Sequence, residues 1–141
     1  MGIVGVIGSL VFVGLEMRQS QRIALVNQIQ QRSYTVQASI SAFTEANKDW
    51  FSAQFPALPT KNLSEVEKDI RNVLNQAWFA YEADYFQYSQ GLMTDKVWQA
   101  KLTGIVTNLK RCDNQEICRQ RIKLVEEDFQ RILEGVPFDC E

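Results

Sequence analysis

Apolar residues fill the beginning of the chain and then recur at helical spacing. Residues 1 to 15 carry no charge and are apolar apart from four glycines and one serine. Beyond them, small or apolar side chains return every three or four residues, at Val26, Ile29, Ser33, Val36, Ile40 and Phe43. This spacing places them on one face of a helix, and no proline precedes Pro56. The pattern predicts a single helix from residue 3 to about residue 46, with a length of about 65 Å.

The stretch from residue 47 to residue 62 interrupts the helical pattern. Pro56 and Pro59 prevent a regular helix there. The stretch also contains three aromatic residues, Trp50, Phe51 and Phe55. Aromatic side chains contribute large apolar surfaces, so we expect this part of the chain to pack against the helices. We interpret residues 47–62 as a proline-containing linker.

Three further helices are predicted in residues 63–141, over about 64–90, 95–111 and 114–134. Ser64 and Glu67 form a capping box at the start of the first of them, and Gly91 is placed to end it. The apolar stripes include Val66, Ile70, Val73, Ala77 and Tyr81 in the first helix, Ile105 and Leu109 in the second, and Ile117, Ile122, Val125, Phe129, Ile132 and Leu133 in the third. Short connections make consecutive helices antiparallel neighbours. We therefore predict an all-α fold, in which the long N-terminal helix packs with a three-helix antiparallel array.

The uncharged beginning of the chain has three interpretations. A cleavable signal peptide would have a basic side chain before the apolar run and a small-residue cleavage site, and neither is present. A buried helix of a soluble protein would need a larger core than 141 residues readily form around it. The third interpretation, a transmembrane segment over residues 1–17, is somewhat short for a hydrocarbon layer of about 30 Å, and we favour it. Residues 18–46 would then continue the first helix as a stalk.

The charges after the apolar run predict an orientation. Between Met17 and Thr44 every charged residue is basic, namely Arg18, Arg22 and Arg32, and no basic side chain precedes the run. Basic residues accumulate on the cytoplasmic side of membrane proteins. We therefore expect the N-terminus outside and the helical bundle in the cytoplasm.

Small residues within the run predict a contact surface for another helix. Gly5 and Ser9 are four residues apart, with Gly2 and Gly8 nearby. In lipid, such small residues let two helices approach closely. We interpret Gly2, Gly5, Gly8 and Ser9 as a helix-docking face for a membrane-protein partner or a second copy of the chain. The alternative is that glycine is simply frequent in transmembrane helices.

Residues 78–88 contain six aromatic side chains. The simpler interpretation is that they form core, with the tyrosine hydroxyls at its rim. The alternative is a partner-binding patch of Trp78, Tyr81, Tyr85 and Tyr88. Stacking on nucleic acid would favour interleaved basic residues, whereas the charges here are Glu82 and Asp84.

The inventory of reactive groups argues against an enzyme. The chain has no histidine, which removes the commonest general base and metal ligand. The net charge of -2 also argues against nucleic-acid binding. Cys112 and Cys118 have no zinc or redox spacing; they are either free thiols or a local disulfide. We expect no catalytic residue, no cofactor and no metal site.

Two segments, SLVFVGLEMRQSQR and FAYEADYFQYSQGLMTDKVWQAKL, resemble a widespread set of uncharacterised bacterial proteins. These proteins have one N-terminal transmembrane helix and a helical cytoplasmic domain of unknown function. The resemblance implies a location in the bacterial inner membrane and a natural start further upstream than Met1. It implies no catalytic residue. We expect a non-enzymatic accessory or scaffolding subunit that contacts the lipid bilayer and docks on a larger membrane complex. The alternative is a membrane-anchored helical sensor that binds an apolar small molecule.

Overall fold

The computed structural model describes residues 2–58 and 62–137, and the regular structure in this part of the chain is entirely helical. The helices are α1 (Gly2–Glu45), α2 (Trp50–Gln54), α3 (Glu65–Ser89), α4 (Asp95–Lys110), α5 (Gln115–Ile122) and α6 (Glu127–Glu134), with a 3-10 turn at Cys112–Asn114. The predicted all-α fold with a long N-terminal helix is confirmed. Met1, Pro59 and Cys140, with the predicted domain ends that include them, lie outside the described residues.

The second half of α1 packs antiparallel against α3. Val26, Ser33 and Ile40, seven residues apart, are buried in this contact, and the other members of the predicted stripe are half-buried. Polar side chains fix the register of the two helices. The Ser33 hydroxyl donates to the Phe79 carbonyl at 3.0 Å, and the Gln76 amide donates to the Gln37 carbonyl at 3.0 Å.

Asn72 holds the turn after α1 against α3. Its side chain is completely buried. The carboxamide oxygen accepts from the Trp50 backbone N–H at 2.9 Å, and the Nδ2 donates to the Thr44 hydroxyl at 3.0 Å and to the Lys48 carbonyl at 2.9 Å. A buried backbone group needs such a partner, so Asn72 sets where the chain leaves α1 and enters α2.

Arg71 joins the same turn to α5. Its guanidinium donates to Asp49 at 3.2 and 3.3 Å and to Glu116 at 2.8 Å. Asp49 also caps α2 by accepting from the Ser52 backbone N–H at 2.9 Å. The Arg71 guanidinium further lies 4.9 Å from the centre of the Phe51 ring. One side chain therefore connects the linker, α3 and α5.

The hydrophobic core lies between α3 and the helices that follow it, with α2 closing one end. Its buried members are Phe51, Leu74, Trp78, Tyr85, Trp98, Ile105, Leu109, Ile117, Cys118, Ile122, Phe129 and Leu133. Aromatic rings make up much of it. Tyr85 stacks on Phe129 with 4.5 Å between ring centres, and Trp98 meets both rings edge-on at 5.6 and 5.9 Å.

The first turns of α3 bury a different face from the one predicted. Val66, Ile70 and Val73 are exposed, with 66%, 49% and 62% of their surface accessible. Asn72 and Asn75 are completely buried at neighbouring positions. For Asn72 the cause is the linker, whose buried backbone groups form hydrogen bonds with its carboxamide.

The helix predicted over 114–134 is in fact two helices, α5 and α6. The chain leaves α5 at Lys123 and enters α6 after Glu126, although no glycine or proline lies between them. This break lets Phe129 and Leu133 enter the core, where only about 1% of each is accessible. The predicted core residue Ile132 is 38% exposed as a result. Burial of two large side chains compensates for the interrupted helical hydrogen bonds.

Replacing Asn72 with Ala should lower the free energy of unfolding by about 2–4 kcal/mol, because buried groups of Trp50 and Lys48 lose their hydrogen-bond partner. Urea denaturation measures the change. Asn27→Ala is the matched control, since Asn27 is exposed on α1, and its effect should stay within about 0.5 kcal/mol. Equal effects of the two variants would contradict a structural role for Asn72.

Candidate functional site

The first half of α1 extends beyond α3, and its described side chains are exposed. Its large apolar side chains are exposed all around the helix, with accessible fractions between 49% at Val13 and 77% at Ile3. They are Ile3, Val6, Ile7, Leu10, Val11, Phe12, Val13, Leu15 and Met17. We call this part of α1 the apolar segment. α3 ends at Ser89, and the turn that follows it, residues 90–92, borders a cleft with Leu15, Arg18 and Arg22 of α1.

The predicted helix-docking face lies on the apolar segment and is open. A side chain added at Gly5 or Gly8 would meet nothing within 4 Å. The Ser9 hydroxyl donates to the Gly5 carbonyl at 2.9 Å, which satisfies this group within the helix. Gly2 belongs to the same helix. At Gly5, Gly8 and Ser9 the face is thus exposed and presents small residues outward.

Among residues 2–58 and 62–137, no helix combines the length and the apolar character that crossing a membrane requires. The predicted transmembrane segment over residues 1–17 gains no support from this finding.

The four aromatic residues proposed as a partner patch lie in or against the core. Trp78 and Tyr85 are buried, with 1% and 7% of their surface accessible, and Tyr81 and Tyr88 are half-buried. Tyr88 stacks on Trp98 at 5.0 Å between ring centres, and the Tyr81 hydroxyl accepts from the Asn108 amide at 2.7 Å. Residues enclosed in this way offer a partner little surface, which fits the simpler interpretation of the aromatic stretch as core.

A charged pair that the sequence did not reveal lies beside this core. Arg121 is 5% exposed and donates to the Glu82 carboxylate, and its guanidinium lies 4.1 Å from the centre of the Phe79 ring. Glu82 also lines a groove of about 160 Å³ together with Ile29 and Glu126. Burial raises the pKa of Glu82, and the neighbouring Arg121 opposes that rise. A residue 39 positions away cannot be identified as a partner from helical spacing alone.

The reactive thiol of Cys118 is enclosed in the core. Cys118 is free and buried, so it forms no disulfide. Burial raises the pKa of the Cys118 thiol to about 11, which keeps it protonated at neutral pH. Within the described part of the chain, no group of three or more cysteine and acidic side chains is arranged to hold a metal ion. Asp84 pairs with Lys101 at 2.7 Å and points away from Glu82.

No protein-family model, no curated protein and no solved structure matches the chain. We therefore base the functional proposal on the physical arrangement of the described residues.

Replacing Arg121 with Met should destabilise the protein by about 2–4 kcal/mol, because it leaves the partly buried Glu82 carboxylate without its partner. The pKa of Glu82 should rise further, so the ionised form is penalised more as pH increases through that pKa. We expect the loss of stability, measured by urea denaturation, to be larger at pH 8 than at pH 5. When Glu82 is first replaced with Gln, the Arg121→Met substitution should destabilise the protein equally at both pH values. A larger loss at pH 8 in that variant would exclude Glu82 as the origin of the pH dependence.

The Cys118 thiol should react slowly in the folded protein. In a Cys112→Ser, Cys140→Ser background, alkylation by iodoacetamide at pH 8 should be about a hundredfold slower than that of an exposed thiol, because the thiolate is scarce and buried. Ser89→Cys in the same background, with Cys118→Ser added, supplies the exposed reference thiol. Denaturation in urea should restore rapid labelling of Cys118; rapid labelling without urea would contradict its burial.

Proposed function

We propose that the protein is a non-enzymatic, membrane-associated accessory or scaffolding subunit. Its apolar segment would enter the membrane and dock on a larger membrane protein, while the helical bundle stays at the membrane surface. The observation that carries the proposal is the exposure of nine large apolar side chains around one unpartnered stretch of helix. Soluble monomers rarely expose continuous apolar patches above a few hundred Å².

The energetics of these side chains favour an apolar environment. Full burial of a Val, Leu, Ile or Phe side chain is worth about 1.5–3 kcal/mol. A partner protein would cover one side of a helix, whereas the apolar segment is exposed on every side. Lipid surrounds a helix completely, so we propose lipid as the main environment of the apolar segment.

Small residues on the apolar segment support an accessory role. The open face of Gly5, Gly8 and Ser9 would allow a second helix to approach closely. The partner we propose is therefore a larger membrane protein or a second copy of the chain.

The side of the membrane follows from the flanking charges. Arg18 and Arg22 lie where the apolar segment ends, and no acidic residue occurs between Met17 and Thr44. Basic residues in this position are held on the cytoplasmic side. We propose that the bundle faces the cytoplasm, at the inner membrane of a bacterium, with the N-terminus directed outward.

The described residues give a ligand-sensing role less support. Trp78 and Tyr85, the centre of the aromatic stretch, are packed by Tyr81, Phe129 and Trp98 of the same chain. A small molecule would have to displace these rings. The accessory role needs no such rearrangement.

Vesicle flotation tests the membrane role. The full chain should float with phosphatidylcholine vesicles, and Val6→Glu with Leu10→Glu should reduce the bound fraction by at least a hundredfold, because two carboxylates would have to enter the hydrocarbon layer. Val66→Glu with Val73→Glu is the matched control. These residues are 66% and 62% exposed on α3, against 60% and 67% for Val6 and Leu10, and their replacement should leave binding unchanged. Equal losses in both variants would contradict a specific role of the apolar segment.

The accessory role has a separate test. Protein solubilised from native membranes in mild detergent should run at a mass above that of one chain. The Gly5→Leu variant should lose this association and retain vesicle binding, because a large side chain on the open face blocks close approach. Migration of the wild-type protein as a single chain would contradict the accessory role. It would not affect the proposed association with the membrane.

A further inference from the structure

A cleft lies where α1 passes the turn between α3 and α4. Its volume is about 340 Å³, within the range that small ligands occupy in proteins. One wall comes from a single face of α1, through Leu15, Arg18, Gln19 and Arg22. The other wall is the turn itself, residues 90–92. The cleft begins where the apolar segment ends.

The turn that forms the second wall is locked by backbone hydrogen bonds. Gly91 has a φ of +71°, a conformation that favours glycine. Its N–H donates to the Tyr88 carbonyl at 2.9 Å, and the Leu92 N–H donates to the Gln87 carbonyl at 3.0 Å. This pair of bonds is the Schellman motif, which ends α3 and fixes the position of Leu92 facing α1.

The two arginines in the cleft have no acidic partner in the described part of the chain. Arg18 and Arg22 are four residues apart and therefore lie on the same face of α1, where like charges repel each other. Glu16 is the one acidic residue within four positions of Arg18, and a separation of two residues directs it to a different side of the helix. No carboxylate lines the cleft. Two guanidinium groups thus face one cavity without a counter-charge.

The remaining lining defines the chemistry of a ligand. Guanidinium groups bind phosphate oxygens through paired N–H donors, and the side-chain amides of Gln19 and Gln90 add further donors. Leu15 and Leu92, 61% and 40% exposed, supply apolar surface at the rim. A ligand that satisfies both surfaces carries a phosphate and an apolar chain.

We propose that this cleft binds the phosphate headgroup of an anionic phospholipid, with Arg18 and Arg22 holding the phosphate and Leu15 contacting the start of the acyl chains. The inference rests on the proposed function, because a lipid headgroup reaches the cleft when the apolar segment is in the membrane. Leu15 is the last residue of the uncharged stretch, so the cleft would lie at the depth of the headgroups. The protein would then recognise the lipid composition of its membrane as well as its apolar interior.

Flotation of the full chain with two vesicle types tests this site. We compare phosphatidylcholine alone with phosphatidylcholine containing phosphatidylglycerol, both in 0.15 M salt, where long-range attraction is screened beyond about 8 Å. The wild-type protein should prefer the anionic vesicles by about thirtyfold, the contribution expected of two basic residues at such a surface. Arg18→Gln with Arg22→Gln should abolish the preference and retain binding to the neutral vesicles.

The control is Lys48→Gln with Lys123→Gln, which removes the same charge from two exposed positions outside the cleft. This variant should keep the thirtyfold preference. If it loses the preference as the cleft variant does, general charge attraction explains the effect and the cleft proposal fails. Binding of the wild-type protein to both vesicle types without preference also overturns the cleft proposal and leaves the proposed function standing. Failure to bind either vesicle type overturns the proposed function.

A third flotation measurement distinguishes a site for a lipid headgroup from a site for free phosphate. Sodium phosphate replaces sodium chloride at equal ionic strength in the anionic-vesicle assay. A lipid site should retain its preference, because the apolar contacts of Leu15 and Leu92 are absent for the free ion. Loss of the preference at millimolar phosphate would overturn the lipid assignment in favour of a site for soluble phosphate.

Discussion

The mismatch in length between α1 and α3 determines the organisation of the protein. The two helices pack antiparallel, but α1 has 44 residues and α3 has 25. Where both are present, α1 buries its heptad-spaced residues and belongs to the bundle. Where α3 has ended, the same continuous helix exposes apolar side chains on every side. One continuous helix therefore connects the folded domain to the apolar segment.

Buried polar side chains fix how α1 and α3 are aligned. Apolar contact alone would tolerate a shift of one helical turn, since the apolar stripe repeats along the helix. Ser33, Asn72 and Gln76 remove this freedom because each donates to a specific partner on or next to α1 or α3. A shifted register would leave these donors unpaired, and that would cost about 1–3 kcal/mol for each buried group. The register in turn places the turn at Gly91 beside Arg18 and Arg22, so the cleft depends on hydrogen bonds formed at the other end of the bundle.

The sequence predicted the structure correctly where interactions within a single helix determine it. The stripe from Val26 to Phe43 and the capping box at Ser64 are local patterns, and the structure reproduces both. Prediction failed where the outcome depends on a partner distant in sequence. Val66 and Ile70 have the spacing of a buried face, yet both are exposed, and Asn72, which forms hydrogen bonds with the linker, is buried instead. The Arg121–Glu82 pair and the break after Ile122 also depend on contacts between helices that no local pattern records.

By itself, the sequence determined that this protein is helical, that its first helix is long and that the beginning of this helix is uncharged. Those properties follow from the spacing of apolar residues and from the absence of prolines, which act within one helix. Only the tertiary structure decided which aromatic residues are enclosed, which valines remain exposed and which cavity Arg18 and Arg22 face. Each of these outcomes requires two elements to meet in one register, and that register is set by the buried hydrogen bonds between α1, the linker and α3.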